Sequence, residues 1–508
     1  MRAKKILDME GLKRLREDRP SALLVHCHGV FDVLHAGHLA YFESAKKFGE
    51  VLVITITADE FVNKGPGRPY FNSAVRANMI AALEIVDFVA ISRAATAVPV
   101  LETLRPNFYV KGPDYKNKAL DATGGIYAEE AAVEKGGGRL VFTDDDTHSS
   151  STLINKFFNQ WTEDQVKAID AVNGAGGFAE VEKALEALSK QDVCVIGEPI
   201  VDTYRFCSPN SISSKSPSIS ASYLYEENYL GGSLAIANHL AGLAKSVTLL
   251  ITHGGEPYFL ELLREKLDPR IKLVEQSLLN IPTPRKTRYI AVDKAQRIFE
   301  ITHLRSDQWL RHSPKEFSKL IQKTNSKKNT TILADFGHGL FENSVLEAVD
   351  ALDGFVTVNV QTNSSNLGFN PYTKHKRFAY LSIDTKEAQI AYHDRFSSPR
   401  DLARRLREDL TRVGTAFSMT LGSNGSYYFP NRGREELHVA AFADNVVDAT
   451  GAGDAFFGLT SLLVKSGCPD ILVPFLGNVF AGLKTRIIGN KSSVSRAQLV
   501  KAVTSILK

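Results

Sequence analysis

The sequence has few cysteines and little excess charge of either sign. Its 508 residues include four cysteines, namely Cys27, Cys194, Cys207 and Cys468. No two of them form a C-x-x-C pair, so neither a zinc ribbon nor a disulfide framework is indicated. Sixty-one basic residues against 57 acidic ones leave a net charge of +4. That excess is too small to indicate nucleic acid as the main partner.

Long apolar runs are also missing. No stretch of about 18 apolar residues occurs, so the sequence predicts no membrane span. The opening residues 1–18 are charged and have no apolar core of signal-peptide length. Hydrophobic residues at 44% and charged residues at 23% exclude a mostly disordered chain. We therefore expect a soluble cytoplasmic protein, with two to four domains at roughly 100–200 residues each.

Short apolar runs alternate with helical stretches in two blocks, which predicts an α/β fold with parallel sheets. We expect a first domain over residues 20–160 and a second over residues 191–508. Between them, residues 161–190 are predicted to form a linker. The glycines in Val172–Phe178 have the wrong spacing for a dinucleotide-binding loop. Ser208–Leu230 is rich in serine and β-formers and predicts a small antiparallel flap.

The first candidate site is the segment His35-Ala36-Gly37-His38. It lies between an apolar strand and a helical stretch, where free backbone N–H groups and the helix dipole favour a phosphate. Two imidazoles three positions apart can reach the same phosphate, and Gly37 lets the nucleotide approach closely. Taken alone, the same four residues also fit a pair of capping or core histidines.

The surrounding residues resemble the signature of the cytidylyltransferase-like nucleotidyltransferases, G-x-F-D-x-x-H-x-G-H. Gly29, Phe31 and Asp32 supply its first half. Further segments match in order, and they contain Arg76, Lys111 and the hydroxyl run 149–152. The similarity covers residues 21–159 and is greatest to the adenylyltransferase half of bacterial bifunctional heptose kinase/adenylyltransferases.

This resemblance implies attack of a sugar phosphate oxygen on the α-phosphorus of a nucleoside triphosphate, with pyrophosphate as the leaving group. His35 and His38 would donate hydrogen bonds to the phosphate oxygens in the transition state. Lys47, or Lys46 beside it, would neutralise the β/γ end, although Lys47 also fits a solvated surface lysine. Asp32 would contact the nucleotide. The triphosphate, accompanied by a Mg²⁺ ion, would be held by Arg76, Lys111, Ser150, Ser151 and Thr152.

The second candidate site is the run Asp448–Phe456, with the sequence DATGAGDAF. Its glycines would open a helix with bare N–H groups aimed at one point, which predicts an anion hole. Asp454 lies in this loop, where a carboxylate could take the proton of an attacking hydroxyl. A tight strand–helix turn that merely needs glycines is the other interpretation.

The same run resembles the signature of the ribokinase-like (PfkB) carbohydrate kinases, whose final aspartate is the catalytic base. The similarity covers residues 192–508 and implies a ribokinase-like α/β sandwich with a β-lid, following a Rossmann-like nucleotidyltransferase sheet. The residues that it assigns to the anion hole and nucleotide are Thr420, Gly422, Gly425, Thr450, Gly451, Ala452 and Gly453. Sugar contacts fall on Asp202, Gly231, Gly232 and Asn238, and an indirect magnesium site falls on Asp384 and Glu387.

Several positions depart from the heptose kinase pattern. The lid run Ser211–Pro217 lacks the expected arginine and glutamate, although Lys215 adds a charge. Asn359-Val-Gln361 replaces a D-P-K-like stretch, and His338 replaces a lysine. Loss of fixed cations would weaken recognition of a phosphorylated sugar. The order of the domains is also reversed, with the transferase first.

The sequence thus supports a bifunctional enzyme that makes a nucleotide-activated, ADP-heptose-like sugar from a sugar phosphate and ATP or CTP. The alternative is a working nucleotidyltransferase whose kinase-like domain only binds or dimerises. A pure binding module would leave two phosphate-binding loops unexplained. The lid predicts a homodimer, because its strand edges would otherwise be exposed.

Overall fold

The computed structural model describes residues 5–62, 68–113, 125–143, 161–212, 219–278, 281–292, 296–304, 315–324, 330–363, 366–411, 414–431 and 435–507. The chain divides into two compact units. The first comprises residues 1–162 and 500–508, and the second comprises residues 163–499. Strands and helices alternate in both, so the predicted two-domain α/β fold is confirmed.

The described part of the first unit contains one parallel sheet of six strands, in the order β1-β4-β3-β2-β5-β6. Its strands are β1 (Ile6–Leu7), β2 (Leu24–Gly29), β3 (Val51–Thr57), β4 (Phe88–Ser92), β5 (Phe108–Lys111) and β6 (Arg139–Phe142). Its helices are α1 (Met9–Asp18), α2 (Ala36–Lys46), α3 (Ser73–Ala81), α4 (Val98–Leu104) and α5 (Gly125–Lys135). Every residue of β3, VLVITIT, is buried, as expected for a parallel strand covered on both faces.

The main sheet of the second unit has nine strands in its described part, in the order β11-β10-β7-β14-β15-β16-β17-β18-β19. They are β7 (Asp192–Gly197), β10 (Ser246–His253), β11 (Ile271–Ser277), β14 (Thr330–Asp335), β15 (Phe355–Val360), β16 (Tyr380–Asp384), β17 (Ala416–Thr420), β18 (Ser426–Phe429) and β19 (Leu437–Val439). Among the described strands of this sheet, only β18 and β19 run antiparallel to their neighbours.

A second sheet, with four strands in the part that the structure describes, confirms the predicted flap. Its order is β13-β12-β8-β9, with β8 (Pro199–Ile212), β9 (Ile219–Gly232), β12 (Arg285–Ala291) and β13 (Gln296–His303). We call it the lid sheet. The long strands β8 and β9 pair antiparallel, from Pro199 with Gly232 to Ile212 with Ile219.

The described residues also form helices beyond α1–α5 of the first unit. They are α6 (Glu163–Gly174), α7 (Gly177–Leu188), α8 (Ser233–Leu240), α9 (Pro257–Lys266), α10 (Lys315–Thr324), α11 (Asn343–Asp350), α12 (Thr385–Ala391), α13 (Pro399–Thr411), α14 (Ala452–Ser466), α15 (Leu472–Lys484) and α16 (Arg496–Leu507). No helix in the described ranges is long and apolar enough to cross a membrane.

The segment expected to be a linker instead contains α6 and α7. Val181, Leu185 and Leu188 form a buried stripe on α7, and such an amphipathic stripe needs a partner surface. The glycine run is the turn between the two helices, where Gly176 has a φ of 112°. The second unit thus includes residues from Glu163 on.

Candidate active sites

The carboxyl end of β2 carries the first candidate site. β2 lies in the middle of its sheet, with β3 on one side and β5 on the other. The chain runs outward through β3 and β4 and then returns to form β5, so the strand order reverses between β2 and β5. Open parallel sheets bind ligands in the crevice at such a reversal. The H-x-G-H segment follows β2 at this position.

His35 and His38 lie side by side at the start of α2. His35 is the N-cap residue, and its Nδ1 accepts a hydrogen bond from the backbone N–H of Gly37 at 3.1 Å. The two imidazole rings stack with their centroids 3.9 Å apart. Phe31 meets the His38 ring edge-on. Both histidines therefore lie at the positive end of the α2 dipole, where an anion would be stabilised.

Gly29 and Asp32 shape the loop between β2 and α2. A Cβ atom at Gly29 would lie 2.9 Å from the Phe31 ring, so that ring fills the space of a side chain. Asp32 is buried, and its carboxylate accepts hydrogen bonds from the backbone N–H groups of Tyr70 at 2.8 Å and Phe71 at 3.0 Å. In the structure Asp32 thus anchors the loop before α3 rather than facing an open nucleotide site.

Arg76 is a buried brace in the structure, although the sequence predicted a triphosphate ligand. Its guanidinium is fully buried and donates to the carbonyl oxygens of Val30 at 2.6 Å, Phe71 at 2.8 Å and Thr57 at 2.9 Å. It also pairs with Asp59 at 2.6 Å. Four protein oxygens therefore occupy the guanidinium, which ties the ends of β2 and β3 together.

The lysines at the end of α2 are too far away to neutralise a phosphate at its start. The helix has 11 residues, so its ends are about 15 Å apart at a rise of about 1.5 Å per residue. Lys46 pairs with Asp87 and donates to the carbonyl oxygen of Glu50 at 2.6 Å. Lys47 is the exposed C-cap residue. Contact of either lysine with the β/γ end stays a prediction, and the length of α2 argues against it.

Lys111 closes β5 next to the end of β2, as the pairing of Cys27 with Val110 shows. Its Nζ lies 2.9 Å from the carboxylate of Glu129, and both side chains are buried. The hydroxyl of Tyr109 also donates to Glu129, at 2.8 Å. The positive charge of Lys111 thus lies at the predicted crevice but is shared with a buried acid.

The polar residues on β2, the strand that precedes the H-x-G-H segment, were not identified from the sequence. His26 and His28 lie on one face of β2, and each contacts the Thr55 hydroxyl at 2.8 Å. Burial, with a contribution from the charge of Lys111, lowers the pKa of His28 to about 4. Their spacing of two residues in a predicted strand could have indicated that both side chains lie on the same face. Ser150, Ser151 and Thr152 lie outside the described residues.

A cleft in the second unit carries the second candidate site. It has a volume of about 110 Å³ and lies where β8 and β12 of the lid sheet meet the start of α14. Two acids, two cations and the glycine loop line it. These residues include Asp202, Lys286, Arg288, Gln361, Thr450, Gly451, Gly453 and Asp454.

Asp454 lies in the first turn of α14 and is buried. Its Oδ1 accepts a hydrogen bond from Nε2 of Gln361 at 2.7 Å. Burial, together with the negative charge of Asp202, raises the pKa of Asp454 to about 7. A carboxylate with this pKa is suited to accept a proton near neutral pH.

Asp448 anchors the glycine loop, Thr450–Gly453, through hydrogen bonds. Its carboxylate accepts hydrogen bonds from the Tyr204 hydroxyl at 2.6 Å and the backbone N–H groups of Gly489 at 2.8 Å and Thr450 at 3.0 Å. Although burial opposes ionisation, these bonds lower the pKa of Asp448 to about 2. Gly451, with a φ of 77°, is the N-cap of α14, and Ala452 and Gly453 begin its first turn.

Asp202 lies close to the glycine pair at the end of β9. A Cβ atom at Gly231 would lie 2.1 Å from the Asp202 carboxylate, and Gly232 has a φ of 62°. Asp202 also forms a buried ion pair with Arg288. Glycine is therefore required here by close approach and by backbone conformation, and Asp202 is held at the cleft.

Asn238, predicted as a sugar ligand, does not line this cleft. Its side-chain amide donates to the carbonyl oxygen of Lys266 at 3.0 Å, and its Oδ1 accepts from the backbone N–H of Asp268 at 2.9 Å. It lines a different, larger cavity of about 530 Å³ that contains none of the glycine-loop residues. The structure therefore makes Asn238 a link between α8 and the end of α9.

The T-L-G-x-x-G segment forms the turn between β17 and β18. Gly422 and Gly425 have φ values of 61° and 89°, and a Cβ atom at Gly425 would lie 2.0 Å from the carbonyl oxygen of Val439. Thr420 pairs with Asp384 at the carboxyl ends of β17 and β16. The turn thus lies at the end of the parallel sheet where ligands bind.

Asp384 and Glu387 form a capping box at the start of α12. The backbone N–H of Glu387 donates to Asp384 at 2.7 Å, and the N–H of Asp384 donates to Glu387 at 2.8 Å. Aspartate caps a helix as well as asparagine does, which explains the departure at Asp384. Among the described residues, no group of three or more histidine, cysteine or acidic side chains is arranged to hold a metal.

The other departures are also accommodated. His338 is buried, its backbone N–H donates to Glu198 at 2.9 Å, and burial lowers the pKa of its imidazole to about 3. Asn359 donates to the carbonyl oxygen of Ser382 at 2.9 Å. Sequence reasoning missed the two cations that β12 brings to the cleft, Lys286 and Arg288, because nothing local marks a strand of the lid sheet as facing the glycine loop.

Comparison with protein families assigns both parts of the chain. Residues 26–156 match the cytidylyltransferase-like family, and residues 190–466 match the pfkB family of carbohydrate kinases. The second match spans more than half of the chain. The chain belongs to the pfkB family. The predicted resemblance is confirmed, with the cytidylyltransferase-like domain preceding the pfkB domain.

Individual relatives of this pfkB-family chain are similar over part of their length. The bifunctional protein HldE of Campylobacter fetus is 44% identical over 155 residues, which are 30% of this chain and 31% of that protein. HldE of Geobacter metallireducens is 34% identical over 165 residues, or 32% of each chain. The chain therefore matches about a third of the length of these curated relatives.

Solved structures resemble the pfkB fold. Phosphofructokinase-2 from Escherichia coli, in complex with substrates and products, has a TM-score of 0.50 at 13% identity. The match covers 62% of this chain and 100% of the phosphofructokinase-2 chain. At this identity the similarity is one of fold.

Proposed function

We propose that the chain is a bifunctional enzyme. Its pfkB domain phosphorylates a sugar or sugar phosphate, and its cytidylyltransferase-like domain couples a sugar 1-phosphate to a nucleotide. The observation that carries the proposal is Asp454, which is buried at a helix N-terminus, with its pKa raised to about 7, beside two cations. A turn that needs glycines only for its shape would not require an ionisable group there.

In the kinase step, Asp454 accepts the proton of the sugar hydroxyl as its oxygen attacks the γ-phosphorus of ATP. The bond to the β/γ bridging oxygen breaks, and ADP leaves. The N–H groups of the loop Thr450–Gly453 stabilise the transferring phosphoryl group. Gln361 holds the Asp454 carboxylate in place. Catalysis thus combines positioning with a general base.

Lys286 and Arg288 favour an anionic sugar as the substrate. Both line the cleft with Asp202, which is placed to bind a sugar hydroxyl. These two cations of β12 would take over the role of the arginine that the lid run Ser211–Pro217 lacks. Together with the resemblance to heptose kinases, this supports a heptose phosphate substrate and an ADP-heptose-like product.

In the transferase step, a sugar phosphate oxygen attacks the α-phosphorus of ATP or CTP and pyrophosphate leaves. His35 and His38 donate hydrogen bonds to the phosphate oxygens at the start of α2. Lys111 lies at the other side of the strand-order reversal, where it shares its positive charge with Glu129. No covalent enzyme intermediate is required, so the site works by orientation and charge stabilisation.

Mg²⁺ would accompany the nucleotide in both steps. In the capping box, the carboxylates of Asp384 and Glu387 accept hydrogen bonds from backbone N–H groups. These two residues are therefore poor direct ligands for Mg²⁺. Mg²⁺ commonly binds through nucleotide phosphates and retained waters. It would reduce the negative charge of the phosphates when bound.

The deciding experiment measures both reactions with the full chain. Pyrophosphate release is screened with ATP and CTP against sugar 1-phosphates, and phosphoryl transfer from ATP is screened against heptoses, hexoses and their phosphates. Activity in both screens supports the bifunctional enzyme. Pyrophosphate release alone, with no ATP binding to the pfkB domain, would support the alternative of an inert kinase-like domain.

The proposed enzyme is a homodimer formed through the lid sheet. β9 is an edge strand of that sheet, and its exposed apolar side chains include Ile219, Tyr223, Leu224 and Tyr225. An uncovered apolar edge invites strand pairing. Light scattering should give twice the mass of the chain, and a monomer at all working concentrations would refute this assembly.

A further inference from the structure

The ammonium group of Lys484 is enclosed behind the glycine loop of the pfkB domain. Lys484 ends α15 and is fully buried. Its Nζ donates to the carbonyl oxygens of Gly489 at 2.6 Å and Thr450 at 2.8 Å, and more weakly to that of Ile487 at 3.4 Å. One ammonium thus joins the glycine loop to the segment that follows α15.

Three carbonyl dipoles that converge in a buried space repel one another unless a cation lies among them. A ring of backbone carbonyls is also the arrangement that proteins use to replace the hydration shell of K⁺. At this position the chain supplies its own monovalent cation, because the lysine side chain fills the cage.

The caged ammonium lies directly beneath the anion-binding loop. A Cβ atom at Gly451 would lie 3.4 Å from Cε of Lys484. On the same two segments, Asp448 accepts hydrogen bonds from Thr450 and Gly489. Lys484 therefore donates hydrogen bonds to the carbonyl oxygens of these two segments, and Asp448 accepts hydrogen bonds from their N–H groups. Together the two side chains hold the glycine loop in position.

We infer that Lys484 is a fixed internal cation that keeps the glycine loop in its anion-binding shape, so that the domain needs no bound monovalent cation. Lys484 is a positioning residue, because it contacts the loop and not the reacting atoms. The effect of Lys484 on catalysis rests on the proposed kinase function, whereas its effect on stability does not. The structural consequence, an exchange of the ammonium for a free cation, can be tested without turnover.

The first test is thermal unfolding of the full chain in KCl and in choline chloride of equal ionic strength. Wild type should have the same Tm in both salts. Lys484→Ala should lose about 5 °C or more in choline and regain most of it in KCl or NH₄Cl. Lys484→Met fills the space with an apolar group and should gain nothing from KCl. Lys323→Ala, at an exposed lysine near the end of α10, should behave as wild type.

The second test is phosphoryl transfer in the same salts. Wild-type turnover should be indifferent to K⁺. Lys484→Ala should lose about 10²-fold in choline because the loop is misplaced, and KCl should restore most of that loss. If wild type phosphorylates no sugar, the proposed function fails and the unfolding test still decides the cation inference.

Three results would overturn the inference. One is a K⁺-specific gain in the Tm or turnover of wild type. Another is a Lys484→Ala protein with normal Tm in choline. The third is a Lys484→Ala protein that stays unfolded or destabilised in both salts, since a free cation then cannot take the place of the ammonium.

Discussion

Both candidate sites contain the N-terminus of a helix, but they differ in where the charged side chains lie. In the first site Arg76 and Asp32 are occupied by protein groups, and Lys111 is paired with Glu129. In the second, Asp454 and Lys286 line an open cleft together with Arg288, which is paired with Asp202. The first site therefore offers two imidazoles and backbone N–H groups for binding, whereas the second offers an ionisable base.

The base of the second site should show the largest effect. Asp454→Asn keeps the shape and the hydrogen-bonding capacity but cannot accept a proton, so phosphoryl transfer should fall by about 10²–10⁴-fold. ATP affinity should change little or improve slightly, since a negative charge near the γ-phosphate is removed. Steady-state kinetics with the best sugar of the screen measures both. Unchanged turnover in the variant would end the assignment of Asp454.

The imidazoles of the first site should show the next largest effect. His38→Ala removes a hydrogen bond to the transition state, so nucleotidyl transfer should fall by about 10²-fold or more. Phosphoryl transfer should stay near normal, and Asp454→Asn serves as the reciprocal control. A His38→Ala protein that releases pyrophosphate at the wild-type rate would refute the site.

Substitution of Arg76 tests whether this residue stabilises the fold or binds a phosphate. Arg76→Met leaves the carbonyls of Val30, Thr57 and Phe71 without a donor, so the first unit should lose about 3–5 kcal/mol of stability. Hydrogen exchange in β2 and β3 measures that loss. Arg93→Met, at an exposed arginine, should change stability by less than about 0.5 kcal/mol. Full protection in Arg76→Met with a raised KM for ATP would restore the phosphate role.

What the sequence could predict follows the same division. The parallel sheets, the lid sheet, the helix N-terminus at His35 and the loop before Asp454 all depend on local patterns of apolar residues and glycines. Such patterns fix which backbone N–H groups are free. These elements can therefore be predicted from a single sequence.

The sequence alone does not fix where long cationic side chains point, because their direction depends on tertiary contacts. Lys47 follows the motif closely in sequence but lies at the far end of α2, and Arg76 points into the protein rather than towards a ligand. Lys286 and Arg288 reach the cleft only because β12 pairs with β8. That parallel pairing joins segments more than eighty residues apart, which no local pattern reveals.

The raised pKa of Asp454 predicts a pH-dependent cost in stability. In the unfolded chain an aspartate titrates near 3.8 and in the folded protein Asp454 titrates near 7, so the folded state binds the extra proton between these values. The contribution of Asp454 to stability therefore falls as pH rises from about 4 to about 7. Asp454→Asn should exceed wild type in Tm by several degrees at pH 8, with a difference that shrinks towards pH 4. An equal difference at both pH values would refute it.

The smallest effect is expected at the end of α2. Lys47 is exposed and lies about 15 Å along the helix from His35, farther than a lysine side chain extends. Lys47→Ala should therefore change the KM for the nucleotide and the rate of pyrophosphate release by less than about twofold, as for an ordinary surface substitution. Lys46→Ala is the matched comparison, because it removes the ion pair with Asp87 and should lower Tm slightly without changing the KM. A tenfold rise in KM for Lys47→Ala would mean that the triphosphate runs along α2 instead of resting on its N-terminus, and the imidazoles would then no longer be the centre of the first site.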